Sequence, residues 1–238
     1  MKLGVVGAMD IEVDFFQAEM EINASYQKAG MTFYDALFKG VEMILVKSGI
    51  GKVNAAICTQ ILIDDFDVDQ IIFTGVAGAI DRRLEVGDIV VADSLVQHDV
   101  DASGFDYKLG EIPGLGQVAF TADKNLVGLA KEAGEKIAAE KEIDVYSGRI
   151  LSGDQFISNQ EKVAELKATF GGYCTEMEGA ALAQVCSLNE IPFVVVRSIS
   201  DNADQNANHS FEEFAKKAAS NSYLIVSEMI SSLKDSVK

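Results

Sequence analysis

The stretch Ile191-Pro-Phe-Val-Val-Val-Arg-Ser-Ile-Ser-Asp201 is a run of branched apolar residues that stops on an arginine, two serines and an aspartate. A strand buried on both faces has this composition, and the far end of such a strand is where an α/β sheet presents groups to a ligand. Asp201 is thereby a candidate for proton transfer, with Arg197 and Ser200 on the same strand end. Upstream, Cys174-Thr-Glu-Met-Glu-Gly-Ala-Ala brings Glu176 and Glu178 to the junction of a short strand and a helix. There the free backbone N–H groups and the helix dipole favour ionised carboxylates. Read alone, Asp201 is a turn cap in Asp201-Asn-Ala-Asp-Gln; the company of other acids turns the reading toward an acid cluster at strand ends.

The elements that must carry these groups follow from periodicity and turn chemistry. Leu3 to Gly7 is a buried strand, followed by a helix from Ala8 to Met20 that places Glu12 near its beginning. Without further company Glu12 reads as a solvated helix residue. Gly4-Val-Val-Gly7 lacks the Gly-x-Gly-x-x-Gly pattern of a dinucleotide turn. Between Lys2 and Lys28 there is no cation, so a ligand at this turn does not present a phosphate to it. Met31 to Phe38 and Val41 to Lys47 form a hairpin around Lys39-Gly40. Ser48-Gly-Ile-Gly-Lys52 turns the chain into a helix from about Val53 to Ile63, and it misses the phosphate-loop pattern because Val46 and Val53 occupy the glycine and hydroxyl positions.

Gln70 to Thr74 is a further buried strand, and Gly75-Val-Ala-Gly-Ala79 after it reads as a glycine-rich turn open to close approach by a ligand. Gly87 to Ala92 and Ser94 to Val100 read as strands. From Asp101 to Phe120 the chain is irregular but greasy, with Phe105, Tyr107, Leu115 and Phe120, which points to a lid or a subunit interface. A helix starts at Thr121-Ala-Asp-Lys and runs to about Lys141, Ile143 to Leu151 is a strand, and helices cover Gln160 to Phe170 and Phe211 to Leu233. Strands alternating with helices, interrupted by hairpins, give an α/β class: a three-layer α/β/α arrangement with a central mixed sheet, in one domain spanning residues 1–238.

Composition removes several function classes. With 238 residues and 48% hydrophobic content the chain can bury one substantial core. A formal net charge of −17 repels nucleic acid and anionic membrane surfaces. Cys58, Cys174 and Cys186 are odd in number and sit in apolar runs, as in a reducing compartment, and with His98 and His209 they make no zinc-like spacing. The absence of an apolar run long enough to cross a bilayer completes the expectation of a cytoplasmic protein.

Taken together, Gly7-Ala-Met9 with Glu12, Ser48-Gly-Ile-Gly-Lys52, Thr74-Gly-Val-Ala-Gly78, Val86-Gly-Asp-Ile-Val-Val91, Ser152-Gly-Asp-Gln-Phe-Ile157, Glu176-Met-Glu178 and Val196-Arg-Ser-Ile-Ser-Asp201 closely resemble the 5′-methylthioadenosine/S-adenosylhomocysteine nucleosidases. The resemblance covers nearly the whole chain. It implies a purine nucleoside phosphorylase-like fold, a homodimer, no metal or other cofactor, and hydrolysis of an N-glycosidic bond with release of adenine in methionine salvage. Matched residue by residue, it implies that Asp201 is the general acid at adenine N7 with Ser200 beside it. Glu12 would activate water with help from Glu176 and Arg197, and Glu178 would bind the ribose hydroxyls. Met177 would pack on sugar and base, Phe156 would stack on adenine, and the Ile157 backbone would read its Watson–Crick edge. Ala8, Met9, Ile50, Val76, Gly78 and Phe211 would line the rest. Phe105 and Pro113 of the partner subunit would close over the 5′-substituent. Val76 departs from members that carry serine there, and Ala102 stands where a larger apolar residue can occur.

The chemistry asks for this set. Cleavage of an N-glycosidic bond develops positive charge on ribose and negative charge on the purine, so one carboxyl must donate a proton while others stabilise a cation and ready water. A phosphate-dependent phosphorylase and a non-catalytic nucleoside-binding protein are the alternative expectations. Without the resemblance, Phe156 and Met177 read as core and Phe105 as interface filling.

Overall fold

The structure, a computed structural model, describes residues 1–203 and 207–236. Its organising strand is β10 (Phe193–Asp201), buried at every position, as an uninterrupted branched run requires. β10 pairs in parallel with β5 (Gln70–Ala79) and antiparallel with β6 (Ile89–Gln97). β6 runs parallel to β8 (Val145–Ser152), β8 runs parallel to β9 (Cys174–Glu176), and β9 returns antiparallel to β5. These five strands close into a ring. From β5 the same mixed sheet opens as a wing through β1 (Lys2–Gly7), β4 (Val41–Lys47), β3 (Met31–Phe38) and β2 (Glu21–Lys28). A short strand, β7 (Ala119–Thr121), pairs β6 outside this path.

Helices cover both faces. Against one lie α1 (Asp10–Glu19), α3 (Lys124–Lys141) and α6 (Ala207–Ser236), where Phe16, Tyr223, Met229 and Ile230 pack on Leu3, Leu45, Ile72, Val194 and Val196. Against the other lie α2 (Lys52–Phe66) and α5 (Gly179–Leu188), with Cys58, Leu62, Leu182 and Cys186 on Val6, Phe73, Val195 and Ile199. The remaining helix, α4 (Gln160–Phe170), follows the turn after β8. This is the expected three-layer α/β/α class, with the ring closure as an added feature.

Two local expectations are corrected, one element is added and one helix start is sharpened. The residues after Met20 form β2, an edge strand exposed along almost its whole length, so it has no apolar alternation to announce it. Gly75–Ala79 continues β5 as strand instead of turning away. Residues 87–100 give one strand, kinked by a bulge between Ala92 and Ser94, in place of two. Helix α3 begins at Lys124, with Asp123 as its cap accepting from the Asn125 and Leu126 N–H groups at 3.0 Å each.

Candidate active site

A cavity of about 210 Å³ opens where β1, β5, β9 and β10 end. Ala8, Met9 and Glu12 enter it from the β1–α1 turn, Ile50 from the turn before α2, and Val76, Ala77 and Gly78 from β5. Gln155, Phe156 and Ile157 come from the loop after β8, Thr175, Glu176, Met177 and Glu178 from β9 and the start of α5, Ser200 and Asp201 from β10, and Phe211 from α6. Ala77, Gln155 and Thr175 are additions to the sequence-derived set. Arg197 from that set is placed differently, because it is fully buried and stands one layer behind the lining. Phe105 and Pro113 do not line the cavity of a single chain, and Phe105 is 83% exposed.

Glu12 is the third residue of α1 and, unlike a solvated helix residue, is only 3% exposed. Its Oε2 accepts from the N–H groups of Ala8 at 2.6 Å and Met9 at 3.0 Å, so the first turn of α1 holds it from below. Its Oε1 accepts from Val76 N–H at 3.0 Å. Burial raises its pKa above the ordinary carboxylate value, against the opposing pull of Arg197 and these backbone donors.

Arg197 donates through Nη2 to Glu176 Oε2 at 2.5 Å, and its guanidinium lies 4.1 Å from the centre of the Phe73 ring. Glu176 also accepts from Ser152 Oγ and from Gly179 N–H at 2.8 Å. Burial alone would lower the Arg197 pKa, but Glu176, Glu12 and Glu178 together hold it raised. Glu178 accepts from Gly51 N–H at 2.8 Å. The sequence led us to expect Glu178 ionised at a helix start, whereas burial, and after it the neighbouring Glu176, push its pKa up to about 8. Three carboxyl groups thus share one guanidinium away from water, and burial raises the pKa of both Glu12 and Glu178.

At the other end of the cavity, Asp201 is 2% exposed. Its Oδ2 accepts from Ser200 Oγ at 2.8 Å and its Oδ1 from Ala203 N–H at 2.8 Å. The second bond is the turn-capping role that the sequence also allowed. Residues 204 and 205 of that turn lie outside the described residues.

Two glycines of β5 make room for both acids. A Cβ on Gly75 would sit 2.5 Å from Glu12 Oε1 and strike Arg197 Nη1, and one on Gly78 would sit 2.8 Å from Asp201 Oδ1. Close approach of side chains to the backbone, rather than a turn, is what these glycines serve.

A profile described as the phosphorylase superfamily matches residues 2–231. The chain is 42% identical over 240 residues to the 5′-methylthioadenosine/S-adenosylhomocysteine nucleosidase of Colwellia psychrerythraea, covering 100% of this chain and 98% of the relative. The crystal structure of the Neisseria meningitidis nucleosidase in complex with methylthio-immucillin-A superposes with a TM-score of 0.93 at 39% identity, covering 97% of this chain and 99% of the other. The futalosine hydrolase of Helicobacter pylori superposes with a TM-score of 0.90 at 38% identity, covering 97% of each chain.

Proposed function

The chain belongs to the phosphorylase superfamily and, within it, to the 5′-methylthioadenosine/S-adenosylhomocysteine nucleosidases, and from that premise we propose that it hydrolyses the N-glycosidic bond of 5′-substituted adenine nucleosides. One observation carries the choice of water over phosphate as nucleophile. The cavity lining holds Glu12, Glu176, Glu178 and Asp201 and, among the described residues, no Lys, Arg or His. A phosphate entering would meet carboxyl groups with no facing cation. A ribose gaining positive charge is stabilised by the same surroundings.

The geometry supports a division of labour. Glu12 packs at Gly75 and Asp201 at Gly78, three residues farther along β5, which is about 10 Å of extended chain. In our reading adenine lies toward Asp201, Ser200, Phe156 and Ile157, and ribose toward Glu178 and Met177. Asp201 delivers a proton to N7 as the C1′–N9 bond breaks. Glu12, held by three backbone N–H groups, orients a water and takes its proton as the oxygen bonds to C1′. Glu178 accepts from the ribose hydroxyls. Arg197 acts from behind, fixing Glu176 and keeping the cluster from accumulating further negative charge.

A homodimer fits the surface. Ile50 lines the cavity and is 53% exposed, and Val53, Ile57, Phe105, Leu109 and Leu115 are exposed as well. We take these side chains as the surface that a second copy covers. Phe105 and Pro113 of the partner subunit are our candidates to close the 5′ pocket. The substrates proposed are 5′-methylthioadenosine and S-adenosylhomocysteine, with 5′-deoxyadenosine and 6-amino-6-deoxyfutalosine also within the class, and the role proposed is methionine salvage. Incubation of the purified protein with each nucleoside in phosphate-free buffer tests this: adenine is expected from the first two, and adenine release only on adding phosphate would replace hydrolysis by phosphorolysis.

A further inference from the structure

A second polar network lies behind the loop that carries Gln155, Phe156 and Ile157. Lys52, the first residue of α2, donates through Nζ to Asp99 Oδ1 at 2.6 Å and to Gln97 Oε1 at 3.0 Å. Asp99 Oδ2 accepts from Asp154 N–H at 2.9 Å, and Asp154 Oδ1 accepts from Lys52 N–H at 2.8 Å. The three residues therefore close a ring across segments that are distant in sequence. The Lys52 and Asp99 side chains are only 17% and 14% exposed, so the pair is well shielded from solvent. Gln97 extends the ring to Gln184 on α5, and the neighbouring Gly51 N–H holds Glu178.

The loop has few other ties: Gly153 N–H donates to the Glu176 carbonyl at 3.1 Å, Phe156 stands edge-on to Phe211 with ring centres 6.2 Å apart, and Ile157 packs in the cluster of Leu151 and Leu166. Asp154, Gln155 and Phe156 are exposed, and Ile157 alone among residues 154–157 is buried. Beneath Gly153 lies the buried ring of His98, 2.5 Å from where a Cβ would be. The loop is thus stopped from below by His98 and held laterally by the Asp99 carboxylate. A segment with few apolar anchors takes its position from such polar ties.

We propose that Lys52 and Asp99 are positioning residues for the base: their ion pair, closed through Asp154, sets where Phe156 and Ile157 meet adenine. This rests on the reading above, in which that loop receives the base. Because Glu12 and Asp201 do not hang on the loop, the clasp governs affinity and leaves bond cleavage nearly unchanged.

The test compares Lys52→Met, Asp99→Asn, Asp99→Ala and Lys52→Arg with wild type, reading kcat, KM for methylthioadenosine and the Kd of free adenine by calorimetry. Lys52→Met is expected to raise KM and adenine Kd together by about tenfold, the loss of one charged hydrogen bond, with kcat little changed. Asp99→Asn, which keeps the shape but has one acceptor oxygen for two donors, shifts both constants in the same direction by less. Lys52→Arg restores them, and Lys52→Met combined with Asp99→Ala is no worse than the poorer single variant. Unchanged KM and adenine Kd, or a fall in kcat alone, overturns the proposal. If Lys52→Met does not fold, Asp99→Asn decides by the same two constants. A wild-type protein that releases no adenine would defeat the functional reading instead, and the adenine Kd, measured without turnover, still judges the clasp.

Discussion

In the closed ring of strands, β10 is buried at all nine positions and yet carries Arg197, Ser198, Ser200 and Asp201. In the open wing, β2 is exposed at nearly every position and carries Glu21, Asn23, Ser25, Gln27 and Lys28. Polar residues on the edge strand meet water and do not depend on partners, even where Asn23, Gln27 and Lys28 reach Asp35, Thr32 and Asp65 at the surface. Those in the ring must each be answered from within the protein: Arg197 by Glu176 and Phe73, Ser200 by Asp201, Ser198 by the Gly87 carbonyl. The contrast teaches that buried polarity, more than polarity, marks the functional end of this fold.

If the contrast is right, substitutions in the ring and wing should differ by orders of magnitude. Asp201→Asn and Glu12→Gln should each lower kcat by about 10²–10⁴, the usual contribution of a general acid or base, while methylthioadenosine binding by calorimetry persists. A raised KM with intact kcat in Glu12→Gln would recast that residue as a binding group.

Gly75→Ala is subtler in size and sharper in logic, since it adds one methyl group between Arg197 and Glu12. Misplacement of the pair should lower kcat/KM by about 10², and wild-type rates in this variant would show the two groups to be less tightly set than described. The same change in the wing, at an exposed position, has nothing to strike.

Proton uptake gives a third handle. The Glu178 carboxyl is raised by burial to about 8, above its unfolded value near 4.5, so the stability it contributes is complete below the unfolded value and is lost as pH rises through the folded one. The melting temperature of the ligand-free protein should therefore fall from about pH 4.5 to about pH 8. Glu178→Gln should flatten that fall, and an unaltered pH slope would contradict the assignment. The raised pKa of Glu12 acts on rate in the opposite sense: as the proposed base it must be deprotonated, so kcat/KM should fall on acidification, with its limb above the ordinary carboxylate value. The smallest effect belongs to the wing. Ile22→Thr, at a 52% exposed position of β2, should alter stability by no more than about 0.5 kcal/mol and leave turnover unchanged.

How much of this was legible in the sequence follows the same division. β10 announced itself because a strand buried on both faces must be apolar throughout, and its polar end then stood out. The hairpin of β3 and β4 and the start of a helix at Thr121-Ala-Asp-Lys were equally readable from local chemistry. β2 was not, because exposure on both faces removes alternation. The extension of β5 is not legible from Gly75-Val-Ala-Gly78, because glycine marks both turns and close approaches, and only the positions of Arg197, Glu12 and Asp201 tell which. Burial of Glu12 could not be seen in helical spacing, since its partners at Val76 and Arg197 lie more than 60 residues away. The ring of Lys52, Asp99 and Asp154 is likewise a product of tertiary structure.

The central claim is that a cavity of carboxyl groups, with no cation among its described lining residues, selects water as nucleophile. Turnover of methylthioadenosine in H₂¹⁸O, with and without phosphate, tests it most directly by mass spectrometry of the sugar product. The account predicts one ¹⁸O at C1 of 5-methylthioribose and a rate indifferent to phosphate. A sugar 1-phosphate, or a rate that rises in proportion to phosphate, would contradict it.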